Sequence, residues 1–376
     1  MKSPSLLFVS LFLGLLSAFP SSSLIAAVTE RSATQASPPT LKAEWDKLIN
    51  EAKKEGRVVI YAGPIGEART AMVTAFRQKY GITLDIIMSR GSEIVAKVET
   101  ERRAGLYMVD VGFIGLESYF GSPQLKGFTL PLSSLLVLPE ILDLAHWRGE
   151  KMPFADKEGH LAALVLGSSP YMLINTEIVK PGEITSHQDL LDPKWRGKLA
   201  INDPSVGGAG SEWFTFIVAK VMGLEKGTAY MKQLARQEPA VTRDQRLLTE
   251  WVARGKYAAA LAPDKATTVQ MIRTGAPLAY IDLKEPRPTT SGPGNIMVFD
   301  KLPHPNATKL FINWLLSREG AAVYSKGHGY VSTRLDVATE GIDPFVIPAP
   351  NDAILGEDYQ TARGKMRKLA AEIFRN

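Results

Sequence analysis

A glycine-rich loop carries the clearest chemical signal in the sequence. Residues 204–211 read PSVGGAGS and stand between an apolar segment at 199–202 and a helical pattern. Small residues at a helix start leave backbone N–H groups accessible, and the helix dipole favours anions there. We therefore predict contacts to a carboxylate, phosphate or sulfonate from Ser205, Gly208, Ala209, Gly210 and Ser211. A structural interpretation stays open, in which Ser211 caps the helix and the glycines form a turn.

Two loops in the first third of the chain also follow predicted strands and precede predicted helices. Ligand sites of parallel α/β folds lie at such carboxyl ends. A guanidinium there suits two-pronged binding of a carboxylate or phosphate, although Arg90 could instead form a solvated ion pair. The residues of these loops predicted to contact a ligand are Gly63, Pro64, Arg90, Gly91 and Ser92.

The stretch 159–179 predicts a crossing between two parts of the molecule. An apolar run at 161–166 suits a strand buried on both faces, a polar break follows at 167–170, and a second apolar run covers 171–174. Such a crossing would place the break on the wall of a cleft, while the alternative is an ordinary core strand and turn. The hydroxyls predicted to reach the cleft are those of Ser168, Ser169 and Tyr171, the last of which equally suits a core aromatic.

A repeated strand–helix pattern must position these loops. Strand patterns at 57–61, 82–88 and 109–113 alternate with amphipathic helices, and a second alternating set runs from 199 to 283. Short connections of this kind predict a parallel sheet covered by helices on both faces. A chain of 376 residues is long for one core, so the sequence predicts an α/β protein of two domains.

The N-terminal segment has the order of a secretory signal peptide. Lys2 precedes an apolar run at 6–16, and small residues lead to Ala26 and Ala27, where we expect cleavage. The run is shorter than the roughly 20 residues needed to span a bilayer, although an uncleaved anchor is the alternative. We expect residues 1–27 to be the signal peptide and residues 28–40 a loose polar leader.

Composition excludes several classes of function. The chain has no cysteine, which rules out disulfides, thiolate metal sites, cysteine nucleophiles and a lipid-bearing cysteine. The net charge of +5 is modest, and the basic and acidic residues are interspersed along the chain, so no nucleic-acid partner is expected. The five histidines are not paired at metal-ligand spacing, and the usual metalloprotease and serine-hydrolase motifs are missing. We expect no enzyme, no cofactor and a freely diffusing periplasmic protein; an exported hydrolase without a recognisable motif is the remote alternative.

Four motifs in a fixed order resemble the periplasmic extracellular solute-binding family 1, the binding components of ABC importers. They are GRVVIY at 56–61, ERRAG at 101–105 before Asp110, DPKWRGK at 192–198, and PHPNA at 303–307 with FINWLLS at 311–317. The resemblance implies a two-lobed type II periplasmic-binding-protein fold, each lobe a mostly parallel sheet flanked by helices, with the ligand cleft between the lobes. It implies lobe 1 at 41–165 and 295–376, lobe 2 at 166–294, and a small-molecule solute and an inner-membrane ABC permease as partners of a monomer.

The same resemblance bears on the choice of solute. Relatives often contact their solute after the strand matching 257–261, which points to Asp264 and Lys265 here, although Asp264 equally suits a helix cap. Ferric-iron binders resemble one another in two adjacent tyrosines at that place, where this chain has Ala262-Pro263-Asp264-Lys265. A lysine would repel a trivalent cation. The expected solute is therefore a small organic anion or zwitterion (a carboxylate, phosphonate or phosphate ester), and the alternative is ferric iron or an iron chelate.

Overall fold

The computed structural model describes residues 38–169, 172–263, 265–292, 294–349 and 352–374. Contacts divide the chain into one unit at 1–43 and a second at 44–376, and the account below concerns the second. The predicted signal peptide lies outside the described residues, as do Tyr171 and Asp264. Within the described residues, no helix is both long enough and apolar enough to cross a membrane.

The described chain alternates helices and strands over most of its length. The α-helices are α1 (Pro38–Glu55), α2 (Ala68–Tyr80), α3 (Gly91–Arg103), α4 (Leu116–Phe120), α5 (Pro123–Lys126), α6 (Pro139–Leu142), α7 (Ala209–Phe216), α8 (Leu224–Ala235), α9 (Gln245–Ala253), α10 (Lys265–Arg273), α11 (Pro305–Leu316), α12 (Arg318–His328) and α13 (Glu357–Phe374). The strands are β1 (Arg57–Ala62), β2 (Thr83–Met88), β3 (Val111–Ile114), β4 (Thr129–Leu130), β5 (Leu161–Ala163), β6 (Val165–Ser168), β7 (Met172–Asn175), β8 (Leu199–Asn202), β9 (Ala240–Thr242), β10 (Ala259–Leu261), β11 (Leu278–Tyr280), β12 (Pro288–Thr290), β13 (Asn295–Phe299), β14 (Val331–Ser332) and β15 (Ala353–Ile354). A π-helical turn at Ile217–Val221 continues α7, and 3-10 turns lie at Leu132–Ser134, Leu144–His146, His187–Leu191, Pro193–Trp195 and Pro344–Val346.

The first lobe is built on a sheet of order β2-β1-β3-β13-β4, with β5 also paired to β13. β1 runs parallel to β2 and β3, with Ile60 opposite Val111, whereas β13 runs antiparallel to its three neighbours. All four residues of β3 are buried because helices cover both faces of the sheet. On one face, Phe76 meets Phe311 edge to face at 5.3 Å and Trp314 at 5.2 Å, which ties α2 to α11.

The second lobe has a sheet of order β11-β7-β10-β8-β9. β8 pairs in parallel with β10 and β9, and β7 pairs antiparallel with β10 and β11. The apolar run in α7 predicts a buried helix, and Trp213, Phe214 and Phe216 are fully buried in this lobe's core. Each sheet thus combines parallel βα units with antiparallel strands at the point where the chain enters or leaves the lobe.

A third, small sheet of order β14-β6-β12-β15 connects the lobes. The segment that the sequence predicted as a crossing is divided into β5 of the first sheet, β6 of the small sheet and β7 of the second sheet. β6 and β12 run antiparallel with Ser168 opposite Thr289, so the chain crosses once in each direction. The two-lobed periplasmic-binding architecture is confirmed.

The C-terminal helix α13 packs on the second lobe. Tyr359 and Ala370 are buried in the same apolar cluster as Phe214, and the Phe214 and Phe374 rings meet edge to face at 6.4 Å. The family resemblance implies that residues 295–376 belong to the first lobe, to which the chain returns at β13. The structure instead places this last helix beside α7, since its apolar face covers that helix.

Candidate functional site

A cavity of about 380 Å³ lies where the lobes meet the crossing strands. Its wall draws on both lobes, on β6–β7, on β12–β13 and on α13. The lining residues are Glu117, Ser169, Gly208, Ala209, Glu212, Gln245, Ala262, Pro263, Lys265, Tyr280, Thr290, Gly292, Tyr330 and Arg363. Two cations, Lys265 and Arg363, and two carboxylates, Glu117 and Glu212, therefore face one space.

The glycine-rich loop forms the cavity wall at the start of α7. Gly208, at φ 137°, turns the chain into the helix, and a left-handed conformation of this kind favours glycine. Gly210 is held against β8, because its N–H donates to Asn202 Oδ1 at 2.9 Å and an added Cβ would lie 2.2 Å from the Asn202 carbonyl oxygen. Ser211 Oγ donates to the Gly208 carbonyl at 3.0 Å. Ser211 and Gly210 therefore shape the helix start, while Gly208 and Ala209 present it to the cavity.

Lys265 brings a positive charge to the same space. Ala262, directly after β10, has φ 58°, a strained conformation for a residue other than glycine, and α10 then begins at Lys265. The ammonium lies 4.8 Å from the centre of the Tyr330 ring, a cation–π arrangement. Burial lowers the pKa of Lys265, an effect that Asp343 partly opposes from a longer distance. Within the described part of the chain, the ammonium makes no ion pair.

Arg363 supplies the second cation from α13. Its side chain is buried, and Nη2 donates to Ser211 Oγ at 3.1 Å and to the Gly208 carbonyl at 3.3 Å. Nη1 pairs with Glu117 Oε2 at 2.9 Å, and the same carboxylate pairs through Oε1 with Arg367 Nη1 at 2.7 Å. The guanidinium thus stands beside the α7 N-terminus, where a helix dipole already favours anions.

Two aromatic rings in tilted contact, those of His328 and Tyr330, lie beside Lys265. The His328 and Tyr330 rings lie 4.9 Å apart, and the Tyr330 ring lies against Gly167, where an added Cβ would meet it at 2.7 Å. Burial raises the pKa of Tyr330 to about 12, with a further contribution from the charge of Glu212. Burial, and then the charge of Lys265, lower the pKa of His328 to about 4. Both side chains are consequently neutral at pH 7, and Lys265 carries the local charge.

A smaller cavity lies across the crossing strands from the first. It encloses about 200 Å³, is lined largely by apolar side chains such as Leu116, Phe154 and Leu166, and has the exposed residues Arg148 and Lys151 at its edge. Thr290 faces the larger cavity and Thr289 the smaller one, as alternation along β12 requires. Of these two cavities, the one of about 380 Å³ is lined by charged side chains from both lobes, and we therefore take it as the candidate site.

The structure brings together some of the predicted site residues. Ser169, Gly208, Ala209 and Lys265 line the cavity. Ser168 lies in the crossing sheet, where its hydroxyl bonds Thr289 Oγ1 at 2.9 Å and donates to Asp352 Oδ2 at 2.6 Å. Ser205 Oγ and its N–H both donate to Asp203 Oδ1, at 2.5 and 2.9 Å.

The first-lobe loops do not line this cavity. The Gly63 N–H donates to the Phe113 carbonyl at 2.9 Å, and Pro64 is exposed. The Arg90 N–H donates to Glu93 Oε2 at 3.0 Å, and the Arg90 side chain is exposed. Gly91 packs on Ser118, and Ser92 is exposed. A ligand role for Gly63, Pro64, Arg90, Gly91 and Ser92 stays a prediction, as does one for Tyr171 and Asp264 outside the described residues.

Sequence reasoning missed Arg363, Glu117 and Tyr330. Arg363 lies in a C-terminal amphipathic helix, and no local pattern distinguishes it from an exposed arginine. Glu117 follows β3 by three residues, so the rule that ligand sites lie at strand carboxyl ends could have found it. Among the described residues, no group of three His, Asp or Glu side chains is arranged to hold a metal ion.

Comparison with known proteins gives one family and many similar structures. Residues 71–351 match the family model described as bacterial extracellular solute-binding protein. No curated protein sequence matches the chain.

The similar solved structures share the fold at low sequence identity. A Trichodesmium protein (IdiA, FutA), solved with iron and citrate ligands, is 16% identical with a TM-score of 0.66 over 85% of this chain and 99% of its own. AfuA from Actinobacillus pleuropneumoniae, with fructose-6-phosphate bound, is 20% identical with a TM-score of 0.61 over 85% and 99% of the two chains. Iron-bound HitA from Pseudomonas aeruginosa is 17% identical with a TM-score of 0.61 over 84% and 99%.

Proposed function

The chain belongs to the bacterial extracellular solute-binding protein family, and on that premise we propose that it captures a small organic anion or zwitterion between its lobes. The solute would carry a carboxylate, phosphonate or phosphate ester group. We further propose that the protein works as a monomer in the periplasm and delivers the solute to an inner-membrane ABC permease. It would release the solute chemically unchanged, as a transport protein rather than an enzyme.

The observation that carries this proposal is the environment of Lys265. Its side chain is half-buried beside the cavity, and its ammonium has no ion-pair partner in the described part of the chain. Charging a desolvated amine costs free energy, which an anionic ligand group at hydrogen-bond distance would offset. The α7 N-terminus and Arg363 contribute positive potential to the same wall. An anion fits this wall better than a cation does.

The carboxylates on the wall extend the proposal to zwitterions. Glu117 lies at the edge of the cavity, and Glu212 is a half-buried carboxylate on its wall whose charge helps to raise the pKa of Tyr330. A solute with a cationic group could place that group toward Glu212 and its anionic group toward Lys265. The site would then hold both charges of a zwitterion in one orientation.

Capture would proceed by closure of the lobes. A solute first bound by the α7 wall would gain contacts from Glu117 and the crossing strands as the lobes approach, which shifts an open–closed equilibrium toward the closed form. The small sheet containing β6 and β12 is the connection about which such a movement would occur. The closed form would then be the one that the permease recognises.

Iron is the second candidate solute, because Tyr280 and Tyr330 both line the cavity and a phenolate is a suitable ferric ligand. Two features oppose direct coordination. The pKa of Tyr330 is raised to about 12, and the Lys265 ammonium lies over its ring. An anionic iron chelate such as ferric citrate avoids both difficulties, because its outer surface carries negative charge. The chelate therefore belongs in the same test as the organic anions.

A thermal-shift screen tests the proposal. The purified protein is first partly unfolded and refolded to remove carried-over ligand, and is then heated with aliphatic and aromatic carboxylates, phosphonates, phosphate esters, sulfonates, polyamines or ferric citrate. A ligand at a hundred times its dissociation constant adds about 2.7 kcal/mol, which raises the midpoint measurably. A shift with one anionic class is the expected result, and a Lys265→Met variant should lose it. A shift with polyamines alone would contradict the proposal.

A further inference from the structure

The helix α13 packs on one lobe and is ion-paired to the other. Its apolar face lies in the second lobe's core, and the Tyr359 hydroxyl donates to the Glu212 carbonyl at 2.5 Å. Its residues Arg363 and Arg367 pair with Glu117 at the start of α4, and α4 packs in the first lobe through Leu116 and Tyr119. Glu117 is therefore a first-lobe carboxylate bound to a second-lobe helix at the edge of the cavity.

Arg363 has one N–H donor without a hydrogen-bond partner among the described residues. Only 5% of the residue is exposed, and this donor, Nε, is itself buried. A guanidinium has five N–H donors, and a buried donor without a partner costs free energy. Because Arg363 also lines the cavity, an oxyanion there could accept from this side chain.

The two arginines that pair with Glu117 differ in their exposure to solvent. Its side chain is 43% exposed, Arg367 is 33% exposed, and Arg363 is 6% exposed. Each carboxylate oxygen contacts a different guanidinium, Oε2 that of Arg363 and Oε1 that of Arg367. Glu117 can consequently give up Arg363 and turn toward solvent while Arg367 still holds it. The arrangement permits exchange at Arg363 without breaking the connection between α4 and α13.

We propose that Glu117 is an internal competitor for the solute: it neutralises Arg363 in the empty cavity, and an anionic group of the solute displaces it. The inference rests on the proposed function, and it adds a specificity-determining pair that the family resemblance does not supply. Without solute, the buried guanidinium is never left uncompensated, which would otherwise destabilise the protein. With solute, the same guanidinium contributes charge-assisted hydrogen bonds to the ligand.

The competition sets which solutes bind well. A neutral solute cannot replace a carboxylate at a buried guanidinium, so it leaves Arg363 with Glu117 and gains nothing from this side chain. A solute with a second negative charge, such as a phosphate ester or a polycarboxylate, can occupy Lys265 and Arg363 together. Glu117 thereby lowers the affinity for every anion while excluding solutes that lack sufficient charge.

Calorimetric titration with citrate and with fructose 6-phosphate tests the competition. The variants are Glu117→Gln, Arg363→Gln and the double variant, and Lys365→Gln is the control because it removes an exposed charge from the same helix outside the cavity. For a probe that binds wild type, Glu117→Gln should tighten binding by about tenfold and Arg363→Gln should weaken it by about tenfold or more, as expected for charge-assisted bonds. In the double variant, the gain from Glu117→Gln should vanish, because there is no guanidinium left to release. Lys365→Gln should stay within about twofold of wild type.

The outcomes separate this inference from the proposed function. If wild type binds a probe and folded Glu117→Gln binds it equally or more weakly, the competition is wrong while the anion site stands. A gain that persists in the double variant would also overturn it, since the effect would not pass through Arg363. If wild type binds neither probe nor any other anion of the screen, the proposed function fails and the competition fails with it. Circular dichroism of each variant confirms that a loss of binding is not a loss of folding.

Discussion

Loops at the carboxyl ends of strands do different work in the two lobes. In the first lobe, the loops after β1 and β2 use their polar groups locally: the Gly63 N–H bonds Phe113, and Glu93 accepts from Ser89 Oγ and the Arg90 N–H. In the second lobe, the loop after β8 presents Gly208 and Ala209 to a cavity that also holds two cations. The topological position of these three loops is the same, but of the three only the loop after β8 lies beside charged side chains gathered from distant segments.

A position at the carboxyl end of a parallel strand is therefore not sufficient to make a loop part of a ligand site. A loop whose donors are already satisfied by neighbouring atoms offers little to a ligand, because each new bond must replace an existing one. The second-lobe loop differs because distant segments, α10 and α13, bring Lys265 and Arg363 beside it.

The first prediction concerns a glycine in each lobe. Gly210→Ala would place Cβ 2.2 Å from the Asn202 carbonyl oxygen, and this backbone cannot move without disturbing β8. Gly91→Ala would instead meet Ser118 Oγ at 2.4 Å, a side-chain atom that can change rotamer. We expect a loss of unfolding free energy of about 3 kcal/mol for Gly210→Ala, against about 1 kcal/mol for Gly91→Ala, from urea unfolding. Gly207→Ala is the control, since its Cβ would meet nothing within 4 Å; equal losses at 210 and 207 would contradict the argument.

Much of the fold could be predicted from local patterns. Apolar periodicity and short turns placed β1, α2, β2 and α3 within a few residues of their observed bounds, because each buries one face against a neighbour adjacent in sequence. The crossing at 159–179 could also be predicted. The predicted single strand at 161–166 is interrupted at Leu164, however, and β6 extends to Ser168, into the predicted break. Local sequence could not place α13, because either lobe could bury its apolar face.

The site was only partly predictable, for a related reason. Four site residues could be found because local sequence patterns mark them. A glycine-rich helix start marks Gly208 and Ala209, a polar break marks Ser169, and a strand end marks Lys265. No such pattern marks Arg363, because its role depends on the docking of α13 some 150 positions along the chain from Ser211. A pocket forms where segments distant in sequence come together, and a single sequence does not give the distances between those segments.

The second prediction concerns the stability of the protein at low pH and its dependence on His328. His328 has a folded pKa of about 4, below its ordinary 6.5, so the folded state resists its protonation. Stability from this group is complete above pH 6.5 and is lost as the pH falls from 6.5 to 4, by up to about 3 kcal/mol. We expect the free energy of unfolding to fall between pH 6.5 and pH 4 in wild type and to fall less steeply in His328→Gln. Parallel curves would show that His328 titrates normally in the folded protein.

The third prediction concerns the cation that distinguishes the second lobe. Lys265→Met removes the ammonium while keeping a side chain of similar length, and we expect it to weaken binding of an anionic solute by about 1.5–3 kcal/mol. It should also raise the pKa of His328, because the charge of Lys265 is one cause that lowers it. Calorimetry measures the first effect, and NMR titration of the His328 ring measures the second. Unchanged affinity together with a raised His328 pKa would place Lys265 near the rings but outside the ligand contacts.

The last prediction concerns the matching cation of the first lobe. Arg90 directly precedes α3 and has an exposed side chain outside the cavity, and the contact to Glu93 is made by a backbone N–H that alanine also supplies. Arg90→Ala should therefore change solute affinity and stability by less than about 0.5 kcal/mol. Calorimetry under the conditions used for Lys265→Met gives a direct comparison of the two lobes. A loss at Arg90 as large as that at Lys265 would mean that closure brings the first-lobe loop to the solute, and that satisfied loop donors do not exclude a loop from the site.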